Sequence, residues 1–287
     1  MEKRVWNMNI SFTKMHGCGN DYIYINCFEQ YIEHPEKLSK IISDRHFGVG
    51  GDGIVLICPS ENADAKMRMF NIDGSEGKMC GNAIRCVAKY VYDNNIAKKE
   101  VLKIDTLSGV KTIELKVKDD QMYEATVDMG DAILNPSSVP VLIEEEGALI
   151  DVPIEIEGTT YNITTVSMGN PHCVLFDDDI TSINLPVIGP KFEHHPLFPE
   201  SVNTEFIQVE NRTTIHMRVW ERGSGETLAC GTGACAAVVA SVLNGYCDKD
   251  TDITVKLLGG ELVIRYTDNS VFMTGPAKKV FEGIFQW

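Results

Sequence analysis

A chain of 287 residues is large for one hydrophobic core and comfortable for two domains. Its 44% hydrophobic and 23% charged content is ordinary for a globular protein. The formal net charge of −15 argues against nucleic acid as a partner, because a phosphate backbone would be repelled.

The opening stretch MEKRVWNMNISF has a basic pair but no apolar central region, so no secretory leader is expected. Alternating runs predict strands at 22–25, 54–57, 66–70, 113–117 and 123–127. Two helices fall among them. One is Glu36–Ser43; the other carries Ile84, Val87, Ala88 and Val91 at i, i+3, i+4 and i+7. The segment Asn135–Asp151, with Pro136, Pro140 and the acidic Glu144, Glu145 and Glu146, reads as a junction. It divides the chain into an N-terminal half at 1–134 and a C-terminal half at 135–287, with the last strand free to cross back to the first domain. Further strands are predicted at 173–176, 205–209, 215–219 and 262–266. Leu228–Cys247 carries no charge, and a membrane span must be considered at that length. Gly231, Thr232, Gly233, Asn244 and Gly245 interrupt it, leaving about twelve helical residues. Ala236–Leu243 is apolar all round, which predicts a core helix enclosed on every side.

The chain also repeats itself. Cys230-Gly231 lies 150 residues after Cys80-Gly81, Gly169-Asn170 the same distance after Gly19-Asn20, and Met217-Arg218 after Met67-Arg68. Gly259 follows Gly109 at that offset, and Gly275 follows Gly130 at 145. Five matches in one order point to an ancient duplication, with a period far too long for a solenoid. The expected fold is mixed α/β (α+β): two pseudo-symmetric domains, each a β-barrel-like sheet around a central helix.

Nine cysteines, an odd number, without a leader imply reduced thiols and a cytoplasmic location rather than a disulfide framework. No C-x-x-C pair supports a zinc site, and no metal or cofactor is expected. Cys86 and Cys235 fall inside the helices and read as core. Cys80 and Cys230 differ, because each precedes glycine and a polar residue at a helix start. The first turn leaves four N–H groups unpaired and carries about half a positive charge. A thiol there is expected to have its pKa lowered toward neutrality, and the adjacent amides can hold a carboxylate. Two such sites facing one molecule suit inversion of a stereocentre: one thiolate removes a proton and the other thiol returns one to the opposite face.

The motifs HGCGNDY (16–22), GVGGDG (48–53), FNIDGSE (70–76), MCGNAIRC (79–86), SMGNPHC (167–173), VNTEF (202–206) and ERGSGETLACGTGACA (221–236) resemble those of diaminopimelate epimerase, in order and along nearly the whole chain. The resemblance implies a pyridoxal-independent epimerase that interconverts LL- and meso-diaminopimelate on the way to lysine and peptidoglycan. It implies Cys80 and Cys230 as the acid/base pair, with His172 and Glu221 tuning the thiols. Asn20, Asn71, Asn170 and Asn203 would line the substrate pocket. Arg222 would clamp the distal carboxylate, and Glu221 would also meet ammonium groups. Gly81, Asn82, Gly231 and Thr232 would bind the reacting carboxylate through their amides. Some members carry glutamine where this chain has Gly53, so a side-chain contact there would be replaced by backbone or water. A homodimer without nucleic-acid or membrane partners, acting on a small molecule, is also implied.

GVGGDG fits G-x-G-x-x-G, but it follows a helix and precedes a strand, the reverse of a dinucleotide site. GSGE at 223–226 is not a nucleophile elbow, His194-His195 lacks partners at metal spacing, and Asp177–Asp179 reads as a solvated turn. Two readings stand beside the epimerase. A proline racemase-like enzyme also uses two thiols, and a thiol redox protein would join Cys80 to Cys230 in a reversible disulfide.

Overall fold

The computed structural model describes residues 8–143 and 147–287. The opening residues 1–7 and the Glu144–Glu146 run of the junction lie outside the described residues. The chain forms two compact units: one runs up to Val127 and takes in Gly275–Trp287, and the other is Asp128–Thr274.

The first unit contains β1 (Asn9–Gly17), β2 (Asn20–Asn26), β3 (Gly53–Cys58), β4 (Ala65–Asn71), the two-residue β5 (Glu76–Gly77), β6 (Val101–Thr106), β7 (Gly109–Lys118), β8 (Gln121–Asp128) and the C-terminal β18 (Lys278–Gln286). Their lateral order is β18-β1-β2-β3-β4-β6-β7-β8, with β5 on β4. Only β2·β3 and β4·β6 are parallel. Parallel neighbours need a crossover, and helices supply both: α1 (Pro35–Ile42) between β2 and β3, and α2 (Gly81–Asp93) between β4 and β6. Pro35 pre-sets the first turn of α1, with Glu36 at its start and Lys40 in its last turn. The helix lays Leu38 and Ile42 against Ile23, Ile25, Ile54 and Leu56. Meanwhile α2 packs against β1, β2, β4, β6 and β7. Strands β2 and β3 are therefore covered on both faces, which is why they read as nearly unbroken apolar runs.

The second unit contains β9 (Val152–Ile156), β10 (Thr159–Ser167), β11 (Pro171–Phe176), β12 (Asn203–Asn211), β13 (Thr214–Glu221), β14 (Gly225–Glu226), β15 (Asp252–Leu257), β16 (Gly260–Tyr266) and β17 (Val271–Pro276). Its order is β9-β10-β11-β12-β13-β15-β16-β17, again with two parallel pairs, β11·β12 and β13·β15. The two-residue β14 lies on β13. The helices are α3 (Leu185–Glu193) and α4 (Gly231–Leu243). Strand by strand this repeats the first unit, and α4 starts 150 residues after α2. Each unit is thus a sheet wrapped around one central helix. The central helix α4 packs on β10, β11, β12, β13, β15 and β16, and Ala234–Ser241 are all buried, as an all-apolar helix requires.

Sequence reasoning did not anticipate α3. Its sequence, LPVIGPKFE, carries one proline in the first turn and another, Pro190, inside. An interior proline normally ends a helix. In this nine-residue helix Pro190 forgoes one bond, to the Pro186 carbonyl, and the helix is held by burial of Leu185 and Phe192. At Gly189 an added Cβ would lie 2.3 Å from the Trp220 ring, so only glycine lets α3 sit this close to β13.

Candidate active site

In each unit a short hairpin feeds the cysteine into the central helix. Arg68 holds the first, gripping Glu76 with two hydrogen bonds of 2.7 and 3.1 Å while its guanidinium lies 5.0 Å over the Phe70 ring. The second unit repeats this with Arg218 and Glu226, at 2.8 and 3.2 Å. Arg218 also donates to the Ile180 and Ile183 carbonyls.

In the first unit Cys80 is the residue before α2, with extended backbone (φ −136, ψ 124). Its thiol donates to Asn20 Oδ1 at 3.4 Å. The Asn20 amide is oriented from behind, because its Nδ2 donates to Asp52 Oδ2 at 2.7 Å. Arg45 bridges Asp52 and Asp21 at 2.9 and 2.7 Å, and Lys14 pairs with Asp21 at 2.5 Å. Gly81 and Asn82 form the buried first turn of α2. The Asn82 side chain accepts from the fully buried Arg85 at 2.9 Å, and Arg85 also donates to the Gly81 carbonyl at 3.0 Å. Asn71 closes the turn between β4 and β5: its backbone N–H donates to the Ser75 carbonyl and its Nδ2 to Ser75 Oγ. Gly53 is packed so tightly that an added Cβ would stand 2.0 Å from the Phe70 carbonyl oxygen, so a side chain here would force the β3–β4 backbone apart.

In the second unit Cys230 takes the same extended position before α4 (φ −111, ψ 114) and is 5% exposed. Its sulfur accepts from the Gly233 N–H at 3.3 Å and lies 3.5 Å from Thr232 Oγ1. Asn170 Nδ2 donates to Thr232 Oγ1 at 3.3 Å, and Asn170 Oδ1 is 3.1 Å from His172 Nε2. The Nδ1 of His172 meets Glu205 Oε1 at 2.7 Å, and both residues are fully buried. Glu221 accepts from Thr227 Oγ1 at 2.5 Å, and its charge acts on the Cys230 thiol. Asn203 ties two segments together, donating to the Pro171 carbonyl at 2.9 Å and accepting from the Arg222 N–H at 3.0 Å. The Arg222 side chain reaches outward to the Glu200 carbonyl at 3.0 Å. Glu193, from α3, fixes the hairpin tip by accepting from Trp220 Nε1 and the Gly223 N–H, both at 2.7 Å.

Cys80, Gly81, Asn82 and Asn20 thus gather around one helix start. Cys230, Gly231, Thr232, Asn170, His172 and Glu221 gather around the other. Sequence reasoning missed Asp52, Arg85, Glu193 and Glu205. Glu205 reads in sequence as the polar half of an alternating strand, and only the uninterrupted buried run that opens β12 sets it apart.

The thiol expectation fails at Cys230. Burial pushes this thiol well above its ordinary value, and the neighbouring Glu221 and Glu205 charges push the same way. The Thr232 hydroxyl and Gly233 N–H oppose them without prevailing. A helix start favours a thiolate only where solvent or a cation shares the work; here two carboxylates face it instead. Burial likewise raises the Glu221 carboxyl, opposed by Thr227 and Cys230. Burial also pushes the core thiol Cys86 up to about 11. Among the described residues, no three His, Cys, Asp or Glu side chains gather as a metal ligand set.

The family model for diaminopimelate epimerase matches residues 12–135 and 164–280, one segment from each half. A diaminopimelate epimerase of Acetivibrio thermocellus is 58% identical over 274 residues, covering 95% of this chain and 97% of that one. The chain belongs to the diaminopimelate epimerase family. Family relatives from Desulfovibrio desulfuricans and Methanococcus maripaludis are 54% and 53% identical, each over 96% of this chain and 97% and 99% of theirs. The family fold extends further. A hydroxyproline epimerase from Agrobacterium vitis superposes with a TM-score of 0.72 at 12% identity, over 100% of this chain and 94% of that one. A PhzF-family phenazine biosynthesis protein from Bacillus anthracis superposes at 0.70 with 15% identity, over 98% and 100%.

Proposed function

We propose that this chain epimerises diaminopimelate between its LL and meso forms without pyridoxal phosphate, with Cys80 and Cys230 as the acid/base pair. The observation that carries the reading is the duplicated placement of a cysteine in extended conformation, followed at once by glycine, at the start of each unit's central helix. One sulfur takes the α-proton and the other returns a proton to the opposite face, so the configuration inverts and no net proton is consumed. The charge that develops beside the α-carboxylate is met by the N–H groups of Gly81, Asn82, Gly231 and Thr232. Burial, with the Glu221 and Glu205 charges, raises the Cys230 thiol, which favours Cys230 as the proton donor in the first half-reaction and leaves Cys80 as the base. Asn20, Asn71, Asn170 and Asn203 supply neutral donors and acceptors for a substrate with two carboxylates and two ammonium groups. Glu221 takes an ammonium group and Arg222 the distal carboxylate. His172 acts on Cys230 through Asn170. A homodimer in the cytoplasm belongs to the same proposal. No helix among the described residues is long and apolar enough to cross a membrane.

The test is turnover of LL-diaminopimelate in heavy water. Deuterium enters one α-carbon as the meso isomer appears, and Cys80→Ala and Cys230→Ala each lose about 10²- to 10⁴-fold in rate. Full activity in either variant sinks the two-base assignment. Parallel arms with proline and 4-hydroxyproline stay inactive, and turnover of either would reassign the substrate. Sedimentation velocity reads the dimer.

A further inference from the structure

Glu205 has no part in the chemistry above, yet it is fully buried beside the equally buried His172. One of its oxygens, Oε1, lies 2.7 Å from His172 Nδ1, while Oε2 has no hydrogen-bond partner. A buried carboxylate is costly unless a positive charge stands against it, and His172 is placed to supply that charge. The far side of the ring agrees. His172 Nε2 lies 3.1 Å from Asn170 Oδ1, so both ring nitrogens face oxygen acceptors, and only a ring carrying two N–H groups donates to both. With its carbonyl oxygen taken, Asn170 turns its NH₂ to Thr232 Oγ1 at 3.3 Å. A hydroxyl that accepts from Asn170 keeps its own proton to give, and Cys230 Sγ lies 3.5 Å away. Each bond direction follows from the one before it.

We propose that Glu205 is a positioning residue: acting through His172 and Asn170, it fixes the direction of the Thr232 hydroxyl so that this hydroxyl donates to Cys230 Sγ. The proposal rests on the acid/base role given to Cys230 above. A neutral ring would keep its one proton on Nδ1 against the carboxylate and leave Nε2 as an acceptor. The Asn170 amide would then turn over and draw the Thr232 proton away from sulfur. Glu205 therefore acts on Cys230 in two opposed ways. Its charge disfavours the thiolate through space, and the bond chain it anchors favours the thiolate through Thr232. The titratable groups around the sulfur are Glu221 from β13, Glu205 from β12 and His172 from β11, with the Cys173 thiol beside Glu205.

Two measurements test this without using diaminopimelate turnover, so they stand or fall separately from the substrate assignment. In the first, ¹⁵N NMR of the His172 ring in the wild-type enzyme at neutral pH shows both nitrogens protonated; a neutral ring overturns the proposal. In the second, alkylation of Cys230 by iodoacetamide is followed against pH by peptide mass spectrometry, with the Cys80 peptide as internal reference. In Glu205→Gln the Cys230 midpoint rises by about one pH unit, the size of one lost hydrogen bond to a charged group. A fall would mean that Glu205 acts by charge alone, and the proposal fails. In a Thr232→Val background the rise disappears; an equal rise in both backgrounds also refutes the chain. A Glu205→Gln protein that does not fold leaves the wild-type NMR result to decide. If Cys230→Ala keeps full epimerase activity while these shifts appear, the chain is real and the catalytic role is what fails.

Discussion

The two cysteines begin from the same local plan and end in different surroundings. Position 71 is asparagine, and its counterpart 150 residues on is Glu221; Val55 is matched by Glu205, and Tyr22 by His172. The second unit thus carries two carboxylates and an imidazole at positions where the first carries Asn71, Val55 and Tyr22. Glu221→Gln removes one of the charges that raise the Cys230 thiol, while burial, the larger cause, stays. The Cys230 midpoint should therefore fall, opposite in sign to the rise expected for Glu205→Gln, and alkylation against pH reads both. Asp21 gives a stability test in the first unit. Burial pushes its carboxyl up, but hydrogen bonds and charge from Arg45 and Lys14 outweigh this, and the net shift is downward. A carboxyl whose folded value lies below the unfolded one, about 3.9, adds stability above that pH and loses it as pH falls through the folded value. The wild-type urea midpoint should drop more steeply below about pH 4 than that of Asp21→Asn. Parallel curves would show that the Asp21 cluster does not couple to folding.

At the level of elements, the duplication was the most legible feature, because Gly19 and Gly169 both take positive φ, 84° and 92°, and Cys80 and Cys230 both open a central helix from extended backbone. Strands with clear alternation, such as β4 with Met67 and Met69 inward, were equally plain. Segments were missed where local chemistry argues against the final state. A last strand crossing back to the first domain was expected, and β18 does so, but its range was not read because it is exposed along most of its length and carries no periodic signal. The C-terminal part of β10 is buried yet rich in threonine. Two prolines hid α3, although shifting α1 by the repeat length lands on it. Part of the site was hidden for a similar reason: Glu205 looks like the polar half of a strand until that strand proves buried on both faces. Packing of α3 can be tested at Gly189. Alanine favours a helix over glycine by up to about 1 kcal/mol, but its Cβ would stand 2.3 Å from the Trp220 ring. Overpacking of this kind costs roughly 1–3 kcal/mol, so the clash should win. Trp220 would also be pushed off Glu193, which it shares with the Gly223 N–H. Gly189→Ala should lower Tm, and an unchanged or raised Tm would show that the indole yields freely.

Over the whole molecule, the chain's end does structural work at its beginning. Gly275–Trp287 belongs to the first unit, where β18 pairs antiparallel with β1 from Asn9 opposite Gln286 to His16 opposite Lys278. Phe281 meets Phe12 edge-on at 5.9 Å between centroids, and Met8 and Trp287 exchange backbone hydrogen bonds of 2.7 and 2.9 Å. In the second unit the corresponding place beside β10 is filled by β9, which immediately precedes it in sequence. The dependence on the C-terminus is therefore one-sided. Removing residues 278–287 strips β1 of one of its two partners, leaving only β2, and uncovers Phe12 and Ile10, both buried at present. Strand β1 also packs on α2, the helix that Cys80 opens. Hydrogen exchange in the truncated chain should speed up across β1, β2 and α2, while α4 and the strands around it keep their protection, because local stability follows local packing. Loss of protection in α4 to the same degree would show that the two units fold as one cooperative block, with neither stabilised independently.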